Sequence, residues 1–123
     1  MPFSQEAVRR WLDDIHHHII LAQTFATGMS YEGLCDDLRT TYAVTRCLEI
    51  ISEASRRLPD DLKARHPSIQ WRDMAAAGNI YRHEYEDVSV RRVWDTLTLH
   101  LPPLQIVIEQ ELAAFGTSSR LTP

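Results

Sequence analysis

Between Gly78 and Tyr85 the chain reads Gly-Asn-Ile-Tyr-Arg-His-Glu-Tyr, with Glu86-Asp87 directly after it. Nowhere else do an imidazole, a guanidinium, a carboxamide, a phenol and carboxylates crowd so closely. His83 is the acid–base candidate, because an unperturbed histidine titrates near neutrality. Arg82 is the candidate phosphate clamp, since a guanidinium can offset charge as it develops on phosphorus. Tyr85 lies two residues from His83, close enough for both to serve one site, and Asn79 adds a carboxamide. Residue types alone leave a plainer account open: His83 can cap a helix C-terminus, where a cation is favoured, and Tyr85 can pack at a helix junction.

The elements around this stretch must position it. The segment from Ile69 or Gln70 to about Ile80 reads as a short helix with Trp71 and Met74 as core anchors, and Ser68 can cap it. A longer helix from Ser89 carries Val90, Val93, Trp94, Leu97 and Leu101 on one face. The cluster therefore falls at a helix end and in the turn after it, where loops on a rigid scaffold commonly carry chemistry. Pro102-Pro103 predicts a kink or break, because proline removes a helical donor and clashes with the preceding turn. Leu104 to Phe115 resumes the helix, and residues 117–123 read as a polar, flexible tail after Gly116.

Upstream, Ser4 is a good N-cap and Gly28 a good stop for a first helix. Val8, Trp11, Leu12, Ile15, Ile19, Ala22 and Ala26 make its apolar stripe at three- and four-residue steps. His16-His17-His18 suggests a metal, but successive helical residues point about 100° apart, so three adjacent histidines cannot converge on one ion. No metal site is expected. A second helix should run from Met29 to just before Pro59, with Val44, Cys47, Leu48, Ile51, Ala54 and Leu58 inward. Its other face carries Arg39, Tyr42, Arg46, Glu49 and Glu53, either as a solvated ion-pair face or as the lining of a groove beside His83. Pro59-Asp60-Asp61 opens a short helix to about Arg65, and His66-Pro67 breaks the chain. No strand pattern, glycine-rich phosphate loop or repeat is visible. The fold class is all-α: an up-and-down bundle of four to five helices in one domain, residues 1–116.

The whole chain sets outer bounds. Its 123 residues supply one core, and 44% hydrophobic with 24% charged is ordinary globular composition. A formal net charge of -4 argues against wholesale wrapping of nucleic acid, though not against a site for one phosphate. No apolar run approaches the ~20 residues that span a bilayer, and the N-terminus lacks a signal-peptide pattern. Cys35 and Cys47 show neither metal spacing nor a disulfide framework, so a cytoplasmic protein with reduced thiols is expected. No cofactor is called for.

The block from Thr41 to Leu104 resembles the HepT-like family of HEPN-domain toxins, small all-helical proteins encoded beside a minimal nucleotidyltransferase. The resemblance is carried by the order and spacing of several pieces. They are Ala43 to Ala54, Leu58-Pro59, His66-Pro67-Ser68-Ile69-Gln70-Trp71, Gly78-Asn79, His83-Glu84-Tyr85, Val93-Trp94 and Leu101-Pro102-Pro103-Leu104. It implies a homodimer that cleaves RNA without a metal: the ribose 2′-hydroxyl attacks the adjacent phosphate while histidine moves the proton and arginine stabilises the phosphorane. Asn79, His83 and Tyr85 fall on the family's Arg-Asn-x-x-x-His-x-Tyr motif, but Gly78 stands where its arginine belongs. Glycine can do neither job, so the cation would come from Arg82 or from Arg46. Glu49 and Glu53 match acidic positions of the family's second helix and could orient His83 or Arg82. The resemblance also implies a nucleotidyltransferase antitoxin that transfers AMP to the motif tyrosine, here Tyr85. The departure at Gly78 keeps two further readings open: a relative that has lost cleavage but docks this partner, and a nucleotide- or RNA-binding module.

Overall fold

The computed structural model describes residues 4–76 and 86–121, with side-chain surroundings for residues 4–76 and 90–115. Helix α1 (Gln5–Phe25) starts where expected: Ser4 is extended, and its Oγ accepts the Ala7 N–H at 3.0 Å. This satisfies one of the donors that every helix N-terminus leaves open. The helix ends three residues before Gly28, which takes a φ of 76° in the turn that follows. Only glycine adopts that left-handed conformation without steric cost.

The single helix expected from Met29 to Pro59 is two. Helix α2 (Tyr31–Cys35) is capped by Ser30, and α3 (Leu38–Arg57) by Asp37. Asp37 accepts from the Thr40 backbone N–H at 3.0 Å and from the Thr40 hydroxyl at 2.9 Å. Those bonds hold its carboxyl below the usual aspartate range. An aspartate that caps a new helix withdraws from the old one, which is the competition that makes Asp unfavourable in helix interiors. The buried Thr41 hydroxyl donates to the Leu34 carbonyl at 2.8 Å and ties the two helices at their corner.

A short helix, α4 (Asp60–Ala64), follows Pro59, and residues 71–76 form the described part of α5. Its cap position is Gln70 rather than Ser68, since the Gln70 carbonyl accepts the Met74 N–H at 2.9 Å. The Trp71 indole N–H is shared between the Lys63 and His66 carbonyls, both at 3.1 Å, so the loop through His66-Pro67 is pinned to the tryptophan.

Helix α6 (Glu86–Asp95) passes through a π-helical turn, Thr96–His100, into α7 (Leu101–Leu121). The break expected at Pro102-Pro103 is thus a widened turn directly upstream. Neither proline can donate to the carbonyl four residues earlier, and the Leu101 N–H instead reaches back five residues to the Thr96 carbonyl. Inserted π turns of this kind bend helices. The helical backbone of α7 continues past Gly116, where the sequence places its end.

The core is one contiguous cluster. Leu12, Ile15 and Ile19 of α1 meet Val44, Leu48 and Ile51 of α3 and Leu101, Leu104 and Ile108 of α7, and all are essentially solvent-free. Burying each such side chain stabilises the fold by about 1.5–3 kcal/mol before entropic costs. His16 to Glu109 (3.0 Å) and Gln23 to Gln105 (3.0 Å) run in opposite sequence directions, so α1 and α7 are antiparallel. On the far side, Arg91 stacks 4.4 Å above the Tyr31 ring, which also meets Trp94 edge-on at 6.3 Å; these contacts hold α2 to α6. The described residues contain helices and no strand, which is an all-α bundle of the expected class.

Candidate functional site

The backbone just before the polar stretch is tied to another helix. Gly78, Asn79, Arg82, His83 and Tyr85 themselves lie outside the described residues. Just before them, the Ala75 carbonyl near the end of the described part of α5 accepts three hydrogen bonds from α3. Ser52 Oγ donates at 2.7 Å, Arg56 Nε at 3.0 Å and Arg56 Nη2 at 2.9 Å. Arg56 is itself braced: its Nη1 contacts Glu53 Oε2 at 2.9 Å, while Glu53 Oε1 takes Arg57 Nη2 at 3.1 Å. A planar guanidinium can use one edge on a carbonyl and another donor on a carboxylate at once. The result is a strut from α3 to the backbone that leads into the polar stretch.

Glu53 has Arg56 and Arg57 as its partners; His83 and Arg82, which the sequence reading gives it to orient, lie outside the described residues. Arg46 does not join this group. It lies ~15 Å along the helix from Arg56 at 1.5 Å per residue, its side chain is 70% exposed, and among the described residues its one ion pair is a long 3.5 Å approach to Glu49. Arg56 and Ser52 were not singled out from sequence. The available signal was the Glu-x-x-Arg-Arg spacing of Glu53, Arg56 and Arg57, which puts both arginines within helical reach of one carboxylate.

A second polar centre lies away from this one. Glu111, 9% exposed on α7, accepts from Arg65 Nη2 at 2.9 Å and Nε at 3.3 Å, and pairs with His66 Nε2 at 2.6 Å. Burial pushes the Glu111 carboxyl up, but the hydrogen bonds from Arg65 and His66 and their charges outweigh it and hold it below the usual glutamate range. Glu111 in turn raises the Arg65 guanidinium, against the effect of burial. This centre locks the α4–α5 loop to α7. The three adjacent histidines disperse: His16 goes to Glu109, His18 Nδ1 to the Asp14 carbonyl at 2.7 Å, and His17 is exposed. Among the described residues no group of three or more His, Cys, Asp or Glu side chains is arranged to hold a metal ion. None of the described helices is long and apolar enough to cross a membrane.

The fold and its bordering site define a small helical-bundle protein whose polar stretch is entered from a fixed backbone point. Residues 15–111 match the family model described as ribonuclease HepT-like, and the chain belongs to that family. A probable ribonuclease HepT of Thermococcus cleftensis is 40% identical over 95 residues, covering 77% of this chain and 86% of its own length. A Methanocaldococcus jannaschii protein whose name describes a candidate RNase is 29% identical over 103 residues, covering 84% and 85% respectively. Another so described, from Caldanaerobacter subterraneus, is 33% identical over 85 residues, covering 69% and 76%. No solved structure gives a significant match.

Proposed function

We propose that this chain is the toxin half of a two-gene toxin–antitoxin module and acts, as a homodimer, as a metal-independent endoribonuclease. The observation that carries the reading is membership of the ribonuclease family over residues 15–111, a span that includes Asn79, His83 and Tyr85 in motif order. In the proposed reaction His83 takes the proton from a ribose 2′-hydroxyl. The 2′-oxygen forms a bond to the adjacent phosphorus, the 5′-oxygen of the next nucleotide leaves and takes the proton back from His83, and a 2′,3′-cyclic phosphate remains. Arg82 offsets the phosphorane charge in place of the arginine that Gly78 lacks. Asn79 supports the site, and the strut from Arg56 and Ser52 to Ala75 fixes where the segment begins. Product analysis tests the chemistry: cleaved RNA should carry 2′,3′-cyclic phosphate and 5′-hydroxyl ends, and Arg82→Ala should slow the reaction by about 100-fold or more, as loss of a charge-stabilising donor does. Ends bearing a 5′-phosphate would overturn it.

One observation favours a second reading: glycine at position 78 removes the family's cation. In that case the protein docks a nucleotidyltransferase antitoxin and presents Tyr85, whose phenol oxygen takes AMP from a nucleoside triphosphate with release of pyrophosphate, while cleavage is absent. Co-expression with such a partner and mass spectrometry of Tyr85, beside the cleavage assay, separates the two.

A further inference from the structure

A cleft of about 580 Å³ opens between α5 and the π-helical turn, and nothing above assigns it. Its walls flank the polar stretch in the chain. Ala76, on one wall, is the last residue described before that stretch; Asp95, Thr96 and His100 come from the helix that resumes after it. The volume lies in the range of small-ligand sites, roughly 300–1,000 Å³. Apolar side chains (Ile69, Met74, Pro103) share the lining with a few polar groups, the composition expected where a ring is buried and its edge is read. Among those groups Asp73, Asp95 and His100 make no ion pair or side-chain hydrogen bond with any other described residue. Carboxylates and an imidazole that line a cleft without a partner among the described residues are available to a ligand.

We infer that this cleft is a base-reading subsite, which takes one nucleotide of a single-stranded RNA and selects for a base with an exocyclic amine. The inference rests on the proposed RNA reading and adds a specificity to it. Single-stranded RNA is read by splaying a base out, packing its faces and hydrogen-bonding its edge. Carboxylate oxygens are hydrogen-bond acceptors, so Asp73 and Asp95 match the amino groups of adenine, cytosine or guanine. Uracil offers two carbonyls and a single N–H, and its carbonyls meet the carboxylates unfavourably. His100 is placed to donate to a phosphate or ribose oxygen, which every nucleotide carries whatever its base.

The test uses the full chain and uncleavable 2′-O-methyl hexamers of A, C and U, with binding followed by fluorescence anisotropy. The A and C hexamers should bind at least about five-fold more tightly than U, a ratio within reach of one matched base-edge contact. Asp73→Asn with Asp95→Asn should shrink that preference to within about two-fold, because an amide both donates and accepts. His100→Ala should weaken all three hexamers alike. Equal binding of the three by the wild type, a preference that survives the double substitution, or no binding would each overturn the inference. Because the probes cannot be cut, a base preference in a protein that fails to cleave RNA would retain the subsite and sink only the nuclease reading. Thermal melts of each variant exclude unfolding as the cause.

Discussion

Arg56 on α3 and Ala75 on α5 are joined by two hydrogen bonds, 3.0 Å from Nε and 2.9 Å from Nη2, converging on one carbonyl oxygen that Ser52 also reaches. That oxygen sits three residues before Gly78, so the backbone enters the polar stretch from a point fixed by another helix. Arg56→Ala should lower RNA cleavage by about ten-fold or more through misplacement of the segment that follows. Its stability cost should be about 1–2 kcal/mol, the scale of a charge-assisted hydrogen bond at a half-exposed side chain. Arg56→Lys keeps the charge but loses the fork, so it should recover stability better than activity. Urea unfolding together with single-turnover cleavage measures both.

Glu111 gives a pH dependence with a definite sign. Its folded-state pKa lies below the ordinary glutamate value, so the folded protein holds its proton less tightly than the unfolded chain. The stability it contributes is present above the ordinary value and is lost as pH falls through the folded value. Glu111→Gln should cost about 2 kcal/mol at neutral pH, because Arg65 and His66 lose a mostly buried partner. The gap between wild type and variant should then close on acidification below the usual glutamate range. Denaturant midpoints measured from neutral pH downward check this; a gap that widened would contradict it.

The helical class and most of the core were legible in the sequence, because Val8, Leu12, Ile15 and Ile19 repeat with the period of a helix and lie buried in the structure. Local boundaries were less legible for reasons that can be named. Asp37 competes as a cap with the helix it would otherwise extend, and the Thr41–Leu34 bond across the corner joins residues seven apart, beyond the reach of helical periodicity. The π turn before Pro102 answers a donor deficit that composition signals without saying where the backbone will absorb it. The strut was hidden because it joins residues 19 to 23 positions apart in sequence, and the Ala75 end is a main-chain atom without a side-chain signature. Glu111 was missed for a similar reason: its partners lie 45 and 46 residues away.

The corner between α2 and α3 offers a separate check. Thr41→Val keeps the shape of the side chain but leaves the buried Leu34 carbonyl without its 2.8 Å donor. A loss of about 1–2 kcal/mol in unfolding free energy is expected. Amide exchange should quicken first in α2, whose five residues have little helical stability of their own.

The two thiols should differ sharply. Cys47 is buried, and burial pushes its pKa up, whereas Cys35 is exposed. A thiol-specific reagent at neutral pH should label Cys35 rapidly in the native protein and Cys47 only on unfolding, because the thiolate is the reactive form. Mass spectrometry of peptides after timed labelling reads this out; fast labelling of Cys47 in the folded state would contradict the packing of α3.

The most direct test of the account is cleavage of a labelled single-stranded RNA by the purified protein in EDTA, beside His83→Ala. Cleavage that persists in the chelator and disappears in the variant is the predicted result. A folded wild-type protein that leaves the RNA intact, or a variant that cleaves as well as wild type, would contradict the claim that His83 drives metal-independent RNA cleavage.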